Sequence, residues 1–211
     1  MSIGEPRFIN YVPGTSKDER YHRVALAVVT ILLRRRPQEV TVSAVARRAK
    51  VSRPWIYKYF GRETDSLLGF TVKYFGEAFN ELDEEPFAHD SIDQWRQYLV
   101  ERTNKALDDV ESAPWLMLLY FRYRHDAGPI GVAMREIEQL HLDRFLASVP
   151  AELRRRRGNR RLERFARAFS ATRNGVYFRW VDSGERSAWN RAELIDEIMR
   201  PVDAFVAWGS T

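Results

Sequence analysis

The chain reads as an all-α protein, with a small three-helix head of helix-turn-helix type followed by a larger helical body. Three observations predict this. Apolar residues recur at helical spacing along most of the 211 residues, and no alternating strand pattern occurs. The window Thr41 to Phe60, T-V-S-A-V-A-R-R-A-K-V-S-R-P-W-I-Y-K-Y-F, has the form of two short helices meeting at a corner. The basic excess surrounds that window: residues 1–65 hold 13 Lys and Arg against 6 Asp and Glu, whereas residues 66–211 hold 21 against 23. A net +7 beside the motif, with −2 in the remainder, is the electrostatic footprint of a polyanionic partner.

Residues 1–16 contain Gly4, Pro6, Pro13 and Gly14 without helical period, and read as a disordered arm. From Lys17 to Arg36 one face carries Val24, Ala25, Val28, Ile31 and Leu32, and the closing Arg34, Arg35 and Arg36 suit the negative end of a helix dipole. Within the window, Val42, Val45, Ala46 and Ala49 form the inward face of one helix, Val51 fills the corner, and Ile56 faces back from the next helix. Ser52 offers an oxygen to cap that second helix, and Pro54 sits in its first turn, where the missing amide has no intrahelical acceptor anyway.

The outward residues of the window are a set no packed core would use: Ser43, Arg47, Arg48, Lys50, Arg53, Trp55, Tyr57, Lys58 and Tyr59. Cations suit phosphates, and flat or hydroxylated groups suit sugar and base edges. In helix-turn-helix proteins the first residues of the second helix enter the major groove. Arg53, Pro54, Trp55 and Tyr57 are therefore expected nearest the bases, and Thr41, Ser43, Ser52, Lys58, Tyr59 and Arg62 complete the candidate DNA-contact set. This head spans residues 17–64.

The body, residues 65–208, continues the helical period. Glu63 to Asp83 carries Leu67, Leu68, Phe70, Val72, Phe75 and Phe79 and connects head to body. Ser91 to Val110 presents Trp95, Tyr98, Leu99, Ala106 and Val110 inward. Pro114 opens Trp115 to Tyr123, apolar all round and expected at the centre of the body. After the break at Gly128-Pro129, Ile130 to Val149 is expected to bury Met134, Ile137, Leu140, His141 and Phe145. Pro150 to Arg161, with arginines at 154 to 157, 160 and 161, reads as a solvated connector. Two helices close the chain, Leu162 to Asp182 and Asn190 to Trp208, with apolar stripes Leu162, Phe165, Phe169, Val176, Tyr177, Trp180 and Leu194, Ile198, Val202, Phe205.

Thr41-Val42, Val45-Ala46, Ala49, Val51-Ser52, Ile56-Tyr57, Tyr59-Phe60 and Leu67-Leu68 fall where the tetracycline-repressor (TetR) family has its N-terminal pattern, and residues 20 to 70 resemble that family. The chain departs from the pattern in three places. The glycine usual before the second helix is Arg36, the turn glycine is Lys50, and the lysine usual at the start of the fourth helix is Glu63, beside which Arg62 can supply the cation. Arg36-Pro37 can end a helix without glycine, because a residue preceding proline is pushed out of the helical region. Lys50 in a left-handed turn costs about 1 kcal/mol.

The resemblance implies a homodimer through the last two helices, double-stranded DNA with a palindromic operator as partner, and a repressor released by a small molecule bound in the body. Candidate pocket residues are the large aromatic and soft side chains Trp95, Leu99, Trp115, Met117, Tyr120, Phe121, Phe145, Phe169 and Tyr177, with the polar intruders His141 and Asn174. Such a lining predicts a largely apolar or aromatic ligand with few hydrogen bonds.

The absence of cysteine excludes disulfides and cysteine-based zinc fingers and suits a cytoplasmic protein. No run approaches the roughly 20 apolar residues of a membrane span, and residues 1–16 lack the order of a signal peptide. His22, His89, His125 and His141 are scattered without metal-ligand spacing, so neither a metal nor a cofactor is expected. No nucleophile elbow, phosphate-binding loop or dinucleotide loop poses a reaction, which disfavours an enzyme. The remaining alternative is a DNA-binding interaction protein of the same fold controlled by a protein partner.

Overall fold

The computed structural model describes residues 16–80, 88–182 and 190–208. Residues 1–15, which hold almost all of the expected arm, lie outside the described residues, as do 81–83 at the end of the expected connecting helix. Among the described residues the chain forms ten α-helices and one 3-10 turn, without a strand. It divides into two compact units, one of residues 1–81 and 112–137, the other of residues 82–111 and 138–211.

In the first unit, α1 (Ser16–Arg34) opens with Asp18 and Glu19 and ends with Arg34, complementing the helix dipole at both ends. It stops where the sequence requires. Arg36 is extended at ψ 156°, Pro37–Glu39 forms the 3-10 turn, and the Glu39 carboxylate accepts from the Arg36 amide at 3.3 Å. Then α2 (Val42–Ala49) and α4 (Thr64–Asn80) pack their apolar faces on α1, and α3 (Arg53–Phe60) packs on α2. Val24, Val28, Val45, Ile56 and Leu67 are completely buried at the centre of this unit.

Helix α6 (Trp115–Tyr123) belongs to this first unit, which corrects its expected place at the centre of the body. Trp115, Leu119 and Tyr123 join the core of α1 to α4, Trp115 meets Phe75 edge-on at 5.0 Å, and the Arg122 guanidinium donates to the Leu32 carbonyl at 3.3 Å. Nor is α6 buried all round: Leu116, Leu118, Tyr120 and Phe121 are half-exposed. The front of α7 (Pro129–Ser148) closes the unit. Gly131 is indispensable there, because a Cβ would lie 1.9 Å from the Asp126 carbonyl oxygen. Farther along α7, Leu140 is exposed, not inward as its spacing suggested.

The second unit holds α5 (Ile92–Ser112) as far as Glu111, the rear of α7, α8 (Ala151–Arg157), α9 (Asn159–Asp182) and α10 (Arg191–Ala207). Trp95 is fully buried, donates Nε1–H to the Ser148 hydroxyl at 3.1 Å, and meets Phe145 edge-on. The Arg154 to Arg161 run lies on α8 and α9 with Gly158 between them, and Arg155, Arg156, Arg160 and Arg161 are exposed as a solvated connector predicts, while Arg154 and Arg157 turn inward. Arg154 donates to the Leu146 carbonyl, and Arg157 donates to the carbonyls of Phe205 and Val206 at 2.7 and 2.8 Å, satisfying acceptors that a helix end leaves open. Both apolar stripes of the closing helices are largely consumed within the chain: Phe165 stacks on Phe205 at 4.0 Å, and Leu162, Tyr177, Leu194, Ile198 and Val202 are fully or almost fully buried. Any pairing of copies through α9 and α10 must therefore use their outer faces, where Ala168, Ala171, Thr172, Ala204, Ala207 and Trp208 are exposed.

Candidate nucleic-acid interface and body cleft

The corner between α2 and α3 is made by a short set of hydrogen bonds. Thr41 caps α2, its hydroxyl accepting from the Ala44 amide at 3.2 Å. Lys50 takes the left-handed conformation, φ 54° and ψ 44°, and the Val51 amide bonds back to the Ala46 carbonyl at 3.1 Å. Ser52 then caps α3 through the Trp55 amide at 3.2 Å, with Pro54 in the first turn and Ile56 as the buried anchor. Capping oxygens thus satisfy amides at both helix starts and fix the direction in which α3 leaves the corner.

The side chains of α3 divide into two groups. Ser52, Arg53, Pro54, Tyr57 and Lys58 are exposed, together with Ser43 on α2 and Arg62 just beyond α3. Trp55 and Tyr59 are half-buried in an aromatic cluster that spacing alone did not reveal. Tyr21 of α1 lies 5.5 Å from Trp55, 5.8 Å from Tyr59 and 5.6 Å from Phe60, and Trp55 and Tyr59 are 4.7 Å apart. The ammonium groups of Lys17 and Lys58 sit 5.2 and 5.3 Å from the Tyr59 ring. Tyr21 and Lys17, both on α1, were missed because they lie about thirty-five residues from α3 in sequence. Arg34, Arg35, Arg47 and Arg48, with Glu39, line a groove of about 380 Å³ between α1 and α2.

In the second unit, four of the expected ligand residues, Leu99, His141, Phe145 and Phe169, line one cleft of about 30 Å³ between α5, α7 and α9. Trp95 and Tyr177 are buried beside it as packing, and Asn174 accepts from the Arg173 guanidinium at 3.4 Å. Trp115, Met117, Tyr120 and Phe121 lie on α6, in the first unit. The cleft also contains what the apolar expectation omitted: Arg102, Arg144 and Arg173 share its walls. Each falls in the apolar register of its helix, Arg102 three residues after Leu99, Arg144 three after His141, Arg173 four after Phe169. That register was the available signal.

Electrostatics in the cleft follow from the three guanidiniums. Burial, reinforced by Arg144 and Arg173, lowers Arg102 to about 10. Burial together with Arg173, Arg102 and Arg144 holds His141 well below the ordinary imidazole range. Arg173 donates to His141 Nε2 at 3.0 Å, which makes the ring neutral with its proton on Nδ1. Burial also pushes Tyr177 up to about 12. Among the described residues no group of three or more His, Asp or Glu is placed to hold a metal ion, and no helix is long and apolar enough to cross a membrane.

No protein-family model and no curated relative matches the chain. Solved structures do. A TetR-family transcriptional regulator from Streptomyces coelicolor aligns with a TM-score of 0.62 at 20% identity, over 90% of this chain and 83% of its own. A TetR-like regulator from Rhodococcus sp. RHA1 aligns with a TM-score of 0.58 at 19% identity, over 90% of this chain and 96% of its own. FadR from Bacillus subtilis, solved in complex with stearoyl-CoA, aligns with a TM-score of 0.61 at 16% identity, over 89% of this chain and 98% of its own. The all-α architecture expected from the periodicity is therefore the fold of the TetR-family transcriptional regulators.

Proposed function

We propose that the chain is a homodimeric, sequence-specific DNA-binding transcriptional regulator, a repressor released when a small molecule binds its body. The observation that carries this reading is α3 itself: a Ser52-capped helix with Arg53, Pro54, Tyr57 and Lys58 exposed together, in the segment that holds the basic excess of the chain. Arg53 and Tyr57 read base edges. Thr41, Ser43, Ser52, Lys58 and Arg62 hold phosphates and sugars, and Trp55 with Tyr59 stiffens the reading helix through the aromatic cluster while lending its edges to the groove. The expected domain limits, head 17–64 and body 65–208, separate this DNA-reading function from ligand sensing. Two heads joined by a dimer bind half-sites a whole helical turn apart, and a ligand that prefers another head spacing releases them.

Selection of bound sequences from a random duplex pool, followed by mobility shift on the enriched site, tests the reading. A palindromic site bound by a dimer is the expected result. Enrichment of no sequence over background contradicts it.

A further inference from the structure

The strongest unassigned feature of the molecule is the concentration of positive charge in the body cleft. A guanidinium keeps its charge at any physiological pH, so burying one requires a compensating anion or acceptor. Three line this cleft, and Arg102 is acted on by the buried carboxylate of Asp109, two turns farther along the same face of α5. Arg173 spends its donors on neutral acceptors, His141 Nε2 and Asn174 Oδ1, and on the Tyr177 ring at 5.9 Å. Arg144 forms no ion pair or hydrogen bond with any described residue. Like charges held together in this way are costly, and the fold has not spread them apart.

We propose that this cleft binds an organic anion, a carboxylate or phosphate group on an apolar body, with Arg102, Arg144 and Arg173 holding the oxygens. Leu99, Phe145 and Phe169 take the adjoining apolar part. The free volume of about 30 Å³ is about twice what one water needs, room for the charged group among the guanidiniums. Planar guanidinium forks recognise such oxygens in bidentate fashion. His141 remains an acceptor for Arg173 and so aims that fork without adding charge. The proposal deepens the ligand-released regulator reading by adding an anionic group to the largely apolar ligand expected there, and it rests on that reading only for its regulatory consequence.

The test measures binding of octanoate, octyl phosphate and phenylacetate to the full chain, by calorimetry and by thermal unfolding, against octanol and phenylethanol at matched ionic strength. At least one anion should bind saturably, its neutral counterpart about tenfold or more weaker, and Arg144→Gln should remove that preference while folding normally. If Arg144→Gln fails to fold, Arg173→Lys serves, since it keeps the charge and loses the fork. No saturable anion binding, equal binding of acid and alcohol, or a preference that survives both variants overturns the proposal. A mobility shift separates the two layers. An anion that binds without releasing DNA contradicts the ligand-released repressor but leaves the anion site standing; release by the neutral compounds alone does the reverse.

Discussion

Lys50 sits at φ 54° and ψ 44°, a conformation that costs a residue bearing a Cβ about 1 kcal/mol and glycine nothing steric. Lys50→Gly should therefore raise the thermal stability of the unliganded protein, by up to about 1 kcal/mol once the looser unfolded chain is counted. Trp55 and Tyr57 are neighbours on α3 with different expected effects. Trp55 packs on Tyr21, Tyr59 and Phe60, so Trp55→Ala should lower the unfolding temperature of the protein alone. Tyr57 is exposed, so Tyr57→Phe should leave that temperature unchanged and weaken binding to the selected DNA by roughly 1 to 3 kcal/mol. His141 carries a pH signature. Its folded value lies below its unfolded value of 6.5, so the unfolded chain binds the extra proton and the native state is favoured above that pH. Stability should be complete above about pH 6.5 and fall as the pH drops toward the depressed folded value, with His22 and His89 acting in the same direction. His141→Gln should flatten that decline in urea unfolding measured across pH 5 to 7.

At the scale of elements, the turn between α2 and α3 and the start of α7 are the two places where one atom decides the geometry. Ser52→Ala removes the α3 cap and should cost about 1 kcal/mol in chemical denaturation, with a larger proportional loss in DNA affinity because α3 is the reading helix. Gly131→Ala would drive a Cβ into the Asp126 carbonyl and should destabilise the first unit by about 3 kcal/mol or more, seen as a lowered denaturation midpoint. How far the elements were legible follows from the same local forces. The corner could be read because Val45, Ala49, Val51 and Ile56 carry its contacts within a dozen residues, and the caps Thr41 and Ser52 announce both helix starts. The placement of α6 could not, because an apolar run fixes burial but not partner, and Arg122 finds Leu32 ninety residues away. The arginine run was read in part: Arg155, Arg156, Arg160 and Arg161 are solvated as composition says, whereas Arg157 reaches the last turn of α10.

For the whole molecule, the decisive property is the separation of charge from apolar mass, with +7 in residues 1–65 and −2 in the remaining residues. This was fully visible in the sequence. The cleft was only half visible, since Leu99, His141, Phe145 and Phe169 could be named from their helical faces while Arg102, Arg144 and Arg173, on those same faces, were not singled out. The dimer expected from the closing stripes must rest on other residues, because those stripes fill the interior of one chain. Trp208 is exposed at the end of α10 under the Arg161 guanidinium at 5.8 Å, and Trp208→Asp should shift a dimer toward monomer in sedimentation if the outer faces of α9 and α10 pair. The central claim is that α3 reads DNA, and its most direct measurement is the affinity of wild type and Arg53→Ala for the selected site and for an unrelated duplex, each at low and moderate salt. Wild type should prefer its site, Arg53→Ala should lose roughly 1 to 3 kcal/mol of that preference, and both should weaken steeply as salt rises. Equal affinity of both proteins for both duplexes would contradict the account.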